Sequence, residues 1–149
     1  MKLSVALFEP DIAGNTGAIL RLAACFNLAV HIIEPAGFNI SAKSLRRAGM
    51  DYINLVELHR HLDWQAFYNY SQEVQSRLVL FTTKATKSYY NFTYKNNDIL
   101  LFGRESAGVP QYVYNEAQER LTIPIQKDTR SLNLAISVAM AVSVAKYPN

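Results

Sequence analysis

Apolar residues in this chain fall into short continuous runs, separated by stretches of helical spacing and by polar loops. Lys2–Phe8, Ala29–Ile33, Leu78–Phe81, Asp98–Phe102 and Leu121–Ile125 read as buried strands, with Tyr52–Val56 as a shorter one. Between them, Asn15 or Thr16 is expected to cap a helix reaching about Asn27, with Ile19, Leu22, Ala23 and Phe26 on one face. Ser41 is expected to cap a short helix, Ala42–Ala48, stopped by Gly49. A further helix runs from about Leu62 to Tyr70, and Pro110 opens another at its favoured first position. Strands that are unbroken apolar runs, alternating with helices, imply an α/β fold: a mostly parallel sheet with helices on both faces. Ligands of such sheets bind beyond the carboxyl ends of the strands. The loops after Phe8, Phe81, Phe102 and Ile125 are therefore the ones to search.

The last of these loops is the most unusual. Ile123-Pro124-Ile125-Gln126-Lys127-Asp128-Thr129-Arg130-Ser131-Leu132-Asn133-Leu134 leads from a strand into a helix that Thr129 or Ser131 is expected to cap. No residue from Ser131 to Ala145 is charged, and apolar residues cover every face of the helix. Such a helix is expected to be buried on all sides. It is too short for a bilayer, which needs about 20 residues. A polar loop held between a strand and a buried helix suits a rigid binding site.

Composition narrows the setting. The 149 residues suit a single domain, 1–149, and half of them are apolar, enough for a substantial core. The apolar start stops at Glu9 with no small-residue cleavage site, so a first strand fits better than a signal peptide. The single cysteine, Cys25, excludes an internal disulfide and makes a cytoplasmic location the default. Its apolar neighbours place it in the core. A net charge of +3 is compatible with RNA binding without arguing for it. No His/Cys cluster has metal-ligand spacing, so no metal is expected.

The first loop invites comparison with a dinucleotide site. Ile12-Ala13-Gly14-Asn15-Thr16-Gly17 matches two glycines of G-x-G-x-x-G, and Glu34 ends the second strand. The turn glycine is replaced by Ile12, however, and Glu9-Pro10-Asp11 lengthens the turn that a pyrophosphate cradle needs tight.

A different pattern fits better. Asn15-x-Gly17-x-x-x-Arg21, Phe102-Gly103-x-Glu105-x-x-Gly108 and Ile123-Pro124 followed by Ser131-Leu132-Asn133-Leu134 occur in that order. Together they resemble the three motifs of the SPOUT family of RNA methyltransferases. Phe8-Glu9-Pro10, His31-Ile32-Ile33-Glu34-Pro35, Leu45-Arg46-Arg47-Ala48-Gly49-Met50-Asp51-Tyr52 and Thr82-Thr83-Lys84 are similar to the YibK-like, TrmL-type branch. The resemblance implies a C-terminal deep trefoil knot, a homodimer, and S-adenosylmethionine as cofactor. It implies 2′-O-methylation of the wobble nucleotide of tRNA, cytidine or uridine 34. Periodicity alone would never suggest the knot, since threaded chains are rare.

The resemblance also assigns roles. Phe81 and Thr82 would lie against the adenosine, Gly103 would let the backbone approach the ligand, and Ile123, Ser131 and Leu132 would read the adenine edge. Glu105 and Asn133 would support them. Arg21 matches the family arginine proposed as general base. Arginine stays protonated in proteins, so a phosphate contact and stabilisation of developing negative charge suit it better. Asn15 would orient this loop or the ribose. For RNA, Lys43, Arg46 and Arg47 share one helix face, which suits phosphates and equally suits a solvated surface. Lys84 and Lys87, near Tyr89 and Tyr90, combine charge with stacking rings or simply form an exposed loop. His59 and His61 receive no chemistry, and Arg104 and Ser106 have open roles. Two other readings remain: the same fold acting on another tRNA or rRNA position, and a cofactor-binding dimer that binds RNA without methylating it.

Overall fold

The computed structural model describes residues 1–41, 43 and 53–148. The expected helix Ala42–Ala48, apart from Lys43, lies outside the described residues, as do Gly49 and Tyr52. Among the described residues, six parallel strands form one sheet: β1 (Leu3–Phe8), β2 (Ala29–Ile33), β3 (Leu58–His61), β4 (Leu78–Phe81), β5 (Asp98–Phe102) and β6 (Glu119–Leu121), in the order β3-β2-β1-β5-β4-β6. The described helices are α1 (Ala13–Phe26), α2 (Trp64–Glu73), α3 (Gln111–Glu116) and α4 (Leu134–Lys146).

The strand pleat sorts the apolar runs into two cores. Val5, Leu7, Val30, Ile32, Val79, Phe81, Leu100 and Phe102 face one side, where Ile19, Leu20 and Ala23 of α1 and Val138, Ala141 and Val142 of α4 cover them. Ala6, Phe8, Ile33, Leu78, Leu80, Ile99 and Leu101 face the other, under Trp64 and Phe67 of α2 and Val113 of α3. The register fixes both sets at once: Val5 sits beside Val30 and Leu100, and Leu100 beside Val79. A one-residue slip would exchange the two faces.

Both outer strands depart from the expected pattern. Residues 53–55 form a 3-10 turn, and the strand beside β2 is Leu58–His61. Its His59-Arg60-His61 reads as polar because edge strands tolerate polarity that a central strand does not. The opposite edge is Glu119–Leu121, and it ends before Ile125 because Thr122 donates its N–H to Lys87 O (2.8 Å), leaving the ladder with β4.

Helix ends also move. α1 begins at Ala13, so neither Asn15 nor Thr16 caps it. α4 begins at Leu134, capped by Asn133 Oδ1 accepting from Ile136 N (3.2 Å), and neither Thr129 nor Ser131 serves. α4 buries one face only: Leu134, Val138, Ala141, Val142 and Ala145 are inside, while Ile136 is 53% exposed. Cys25 is exposed, on the side of α1 away from Ile19 and Ala23.

Candidate active site

The strand order reverses between β1 and β5, and a cavity of about 530 Å³ opens there beyond the carboxyl ends of the strands. Its walls come from the loops after β1, β4, β5 and β6. Phe81, Thr82, Gly103, Glu105, Ile123, Ser131, Leu132 and Asn133 all line it, together with Asn15 and Lys84. Residues from three distant motifs thus share one wall-to-wall space.

The loops are tied by exchanged carboxylates. Glu105, after β5, accepts from Asp11 N (2.8 Å), Ile12 N (3.0 Å) and Asn15 Nδ2 (3.1 Å). It therefore caps α1 from across the sheet, placing a negative charge at a helix N-terminus that has no side-chain cap of its own. Asp11, in the first loop, accepts in return from Arg104 Nε (3.2 Å), Arg104 Nη2 (2.5 Å), Ser106 N (3.0 Å) and Ser106 Oγ (2.5 Å). These donors, Arg104 first and then Ser106, hold the Asp11 carboxyl well below the usual carboxylate range. Asn15 completes the link, because its Oδ1 accepts from Asn133 Nδ2 (3.1 Å) at the start of α4.

Gly103 has a different reason to be glycine than the expected approach to a ligand. A Cβ there would lie 2.5 Å from the carbonyl carbon of Gly108. The two segments close on each other through Arg104 N to Gly108 O (3.0 Å) and Gly108 N to Arg104 O (2.9 Å), with Gly108 at φ +62°. Phe81 stacks on Phe102 with ring centres 4.9 Å apart, forming an apolar floor. Thr82 shapes the neighbouring turn: its Oγ1 accepts from Lys84 N (3.2 Å).

Residues 2–143 match the SpoU rRNA Methylase family. The chain belongs to the SpoU methylase family. A tRNA (cytidine(34)-2′-O)-methyltransferase of Beijerinckia indica subsp. indica is 49% identical over 141 residues, covering 95% of this chain and 88% of that one. A structure described as "Structural insights into the 2-OH methylation of C/U34 on tRNA" superposes with a TM-score of 0.90 at 36% identity, covering 97% of this chain and 94% of that chain. An AdoMet-bound rRNA methyltransferase from Sinorhizobium meliloti superposes with a TM-score of 0.87 at 25% identity, covering 97% of this chain and 56% of that chain.

In this SpoU-family methyltransferase the remaining expected residues lie elsewhere. Arg21 is exposed on α1 and does not line the cavity; six residues of helix carry it roughly 9 Å past Asn15. Lys43 is exposed and also outside the lining. Arg46 and Arg47 lie outside the described residues. No sequence pattern assigns a role to Asp11, Arg104, Ser106 or Arg130, yet Asp11 and Arg104 knit the loops and Arg130 lines the cavity. Asp11 and Arg104 meet across 93 positions, which no local periodicity could reveal.

Proposed function

We propose that this chain transfers a methyl group from S-adenosylmethionine to the ribose 2′-oxygen of nucleotide 34 of tRNA, leaving S-adenosylhomocysteine. The observation that carries the reading is the meeting of residues from all three motifs, Asn15 from the first, in one cavity at the switch point of the sheet. The 49% identity to a tRNA (cytidine(34)-2′-O)-methyltransferase points to the same substrate.

The cavity suits the cofactor by size and chemistry. About 530 Å³ lies within the range of small-molecule pockets, and an apolar floor with few polar groups suits an adenosine. Phe81, Thr82, Gly103, Ile123, Ser131 and Leu132 form the binding wall in this reading, with Glu105 and Asn133 holding it rigid. When bound, S-adenosylmethionine supplies a methyl carbon already activated by its sulfonium, so no metal is needed. The protein's task is to place the 2′-oxygen in line and stabilise charge as it loses its proton. Arg21, a permanent cation, takes that stabilising role. Asn15 acts on the loop: both ends of its amide are engaged by protein groups, so it orients the cofactor wall.

A homodimer completes this site. Arg21 lies outside the cavity of its own chain, and Ile136 on the outward face of α4 is 53% exposed. A second copy packed on α1 and α4 would cover Ile136 and bring its own Arg21 to the cavity rim. The C-terminal trefoil knot belongs to the same reading. Thr122 is held by the loop after β4, through Tyr89 N to Thr122 O (3.0 Å), while α4 packs back on α1 and β5. That path suits a chain end threaded beneath residues 82–97. Residues 1–149 act as one domain in this reading, with Lys43, Arg46, Arg47 and Lys84 meeting the RNA. No described helix is long and apolar enough to cross a membrane, and a cytoplasmic location follows from a tRNA substrate.

The test is incubation of the purified protein with methyl-labelled S-adenosylmethionine and tRNA from a strain lacking the gene, followed by mapping of the modified nucleotide. Label at the 2′-oxygen of nucleotide 34 is expected. Label at another position or in rRNA would move the substrate. RNA binding with no transfer would leave a binding protein.

A further inference from the structure

Among the described residues, three cationic side chains line the cavity: Lys84, Arg104 and Arg130. Their electrostatic situations differ. Arg104 is held by Asp11 and lies 3.5 Å from Glu9. Lys84 and Arg130 form no ion pair with any carboxylate among the described residues. Glu105, the one carboxylate among the described lining residues, is occupied by three N–H donors. Among the described residues, the cavity therefore presents two positive charges with no carboxylate partner. They stand on different walls, Lys84 after β4 and Arg130 before α4, and both are exposed. Each sits beside an ordered turn. Lys84 N donates to Thr82 Oγ1 (3.2 Å), and Thr129 donates to Gln126 O from its N–H (3.1 Å) and its Oγ1 (2.5 Å).

We propose that Lys84 and Arg130 form a two-point phosphate clamp that grips the RNA backbone on either side of the methylated ribose. The proposal rests on the methyltransferase reading above. A ribose that places its 2′-oxygen in the cavity brings its own 3′-phosphate to the mouth, because the two groups sit on adjacent ring carbons. The 5′-phosphate follows on the other side. Each phosphate carries a full negative charge with no cation of its own. The cofactor's amino-acid end, the other anion available, is a zwitterion whose ammonium offsets its carboxylate. Two separated cations without carboxylate partners match two phosphates better than one zwitterion. The pair also divides the work: Lys84 supplies a mobile point charge, and Arg130 a planar fork that takes a phosphate through two N–H groups.

The test uses the full chain with tRNA: Lys84→Ala, Arg130→Ala, the double variant and Arg130→Lys, each checked by circular dichroism for an unchanged fold. Counterion release gives a slope of log K against log salt of about −0.7 per single-strand phosphate contact. Each alanine variant is expected to flatten that slope by about 0.7, and the double variant by about 1.4. Arg130→Lys keeps the slope. Affinity for S-adenosylhomocysteine, measured calorimetrically, stays within twofold of wild type, while the KM for tRNA rises several-fold for each lost contact. Folded variants with unchanged slopes would overturn the clamp. A fall in S-adenosylhomocysteine affinity as large as the fall in activity would overturn it too, placing the pair on the cofactor. If wild type methylates no nucleotide 34, the substrate reading fails, yet the salt slopes still decide whether these two residues touch phosphate.

Discussion

Asn133 Nδ2 donates to Asn15 Oδ1 at 3.1 Å, joining positions 118 residues apart. The same Asn133 caps α4 through its Oδ1, and the same Asn15 donates to Glu105. One side chain thus starts a helix and fastens the third motif to the first. Asn133→Ala should remove both functions and cost roughly 1 kcal/mol of stability as a lost cap. Asn133→Ser keeps a capping oxygen but cannot reach as an amide. We expect Asn133→Ser to unfold near the wild-type midpoint while binding S-adenosylhomocysteine several-fold more weakly. Equal affinities for wild type and Asn133→Ser would show that the tie to Asn15 does not shape the pocket.

Glu105 accepts three N–H groups at the start of α1. Glu105→Gln keeps the shape but replaces one accepting oxygen with a donor that faces other donors. Leaving such groups unsatisfied costs about 1–3 kcal/mol. Chemical denaturation should read that loss, with cofactor affinity falling alongside it. Retained stability together with lost turnover would instead mark Glu105 as a direct participant in the reaction.

The sequence made the central architecture legible and the edges less so. β1, β2, β4 and β5 are buried on both faces, so their apolar runs are unbroken and their bounds were readable within a residue. β3 and β6 pair on one side only, and their polar residues hid them. Cys25 and Ile136 misled for a related reason: apolar neighbours announce a helix that packs, without saying which of its faces packs inside this chain. The cavity wall was legible through motif order. The Asp11–Arg104 clamp was not, because it forms only when two loops 93 positions apart are brought together by the β1–β5 pairing.

Arg21 lies on α1, outside the cavity that would hold the cofactor. Arg21→Ala should therefore abolish methyl transfer and leave S-adenosylhomocysteine binding near wild type. A dimer in which each chain completes the other's site makes a sharper expectation. Mixing Arg21→Ala chains with chains disabled in the cofactor wall should restore activity in the mixed dimer. Absence of restored activity in demonstrated mixed dimers would place Arg21 at its own chain's site.

Gly103→Ala tests the closed turn after β5. The added Cβ would meet backbone atoms of Gly108 at 2.5 to 2.8 Å, and backbone cannot rotate aside as a side chain can. The second motif must shift, and Arg104 and Glu105 shift with it. Overpacking of this kind costs typically about 1–3 kcal/mol. We expect a lower midpoint in denaturant and loss of cofactor binding. A variant with wild-type stability would mean that the loop relaxes freely.

Stability should also depend on pH through a ring stack far from the cavity. His31 on β2 is buried, with His59 and His61 of β3 at centroid distances of 4.7 and 5.2 Å and Phe67 and Tyr70 of α2 against it. His31 Nδ1 lies 3.0 Å from His61 Nε2, and Glu57 pairs with the outer His59 at 3.0 Å. Burial, and then the neighbouring imidazoles, push the His31 pKa down to about 3, and His61 is lowered by burial and by His59. In the unfolded chain each returns to about 6.5. Between these values the unfolded state binds more protons, so stability rises with pH there. The contribution is complete about a pH unit above 6.5 and is lost as pH falls through 6.5 toward about 3. One buried imidazole gives a slope that approaches about 1.4 kcal/mol per pH unit well below pH 6.5, so lowering the pH from 6.5 to 5 should cost roughly 1–2 kcal/mol. This window lies above the range where most carboxylates titrate. Urea midpoints measured between pH 5 and 7 check the slope. His31→Phe keeps an aromatic ring in the stack and removes the proton site, so its midpoint should vary less across that window, whatever its absolute stability. An equally steep dependence in His31→Phe would assign the acid sensitivity to other groups.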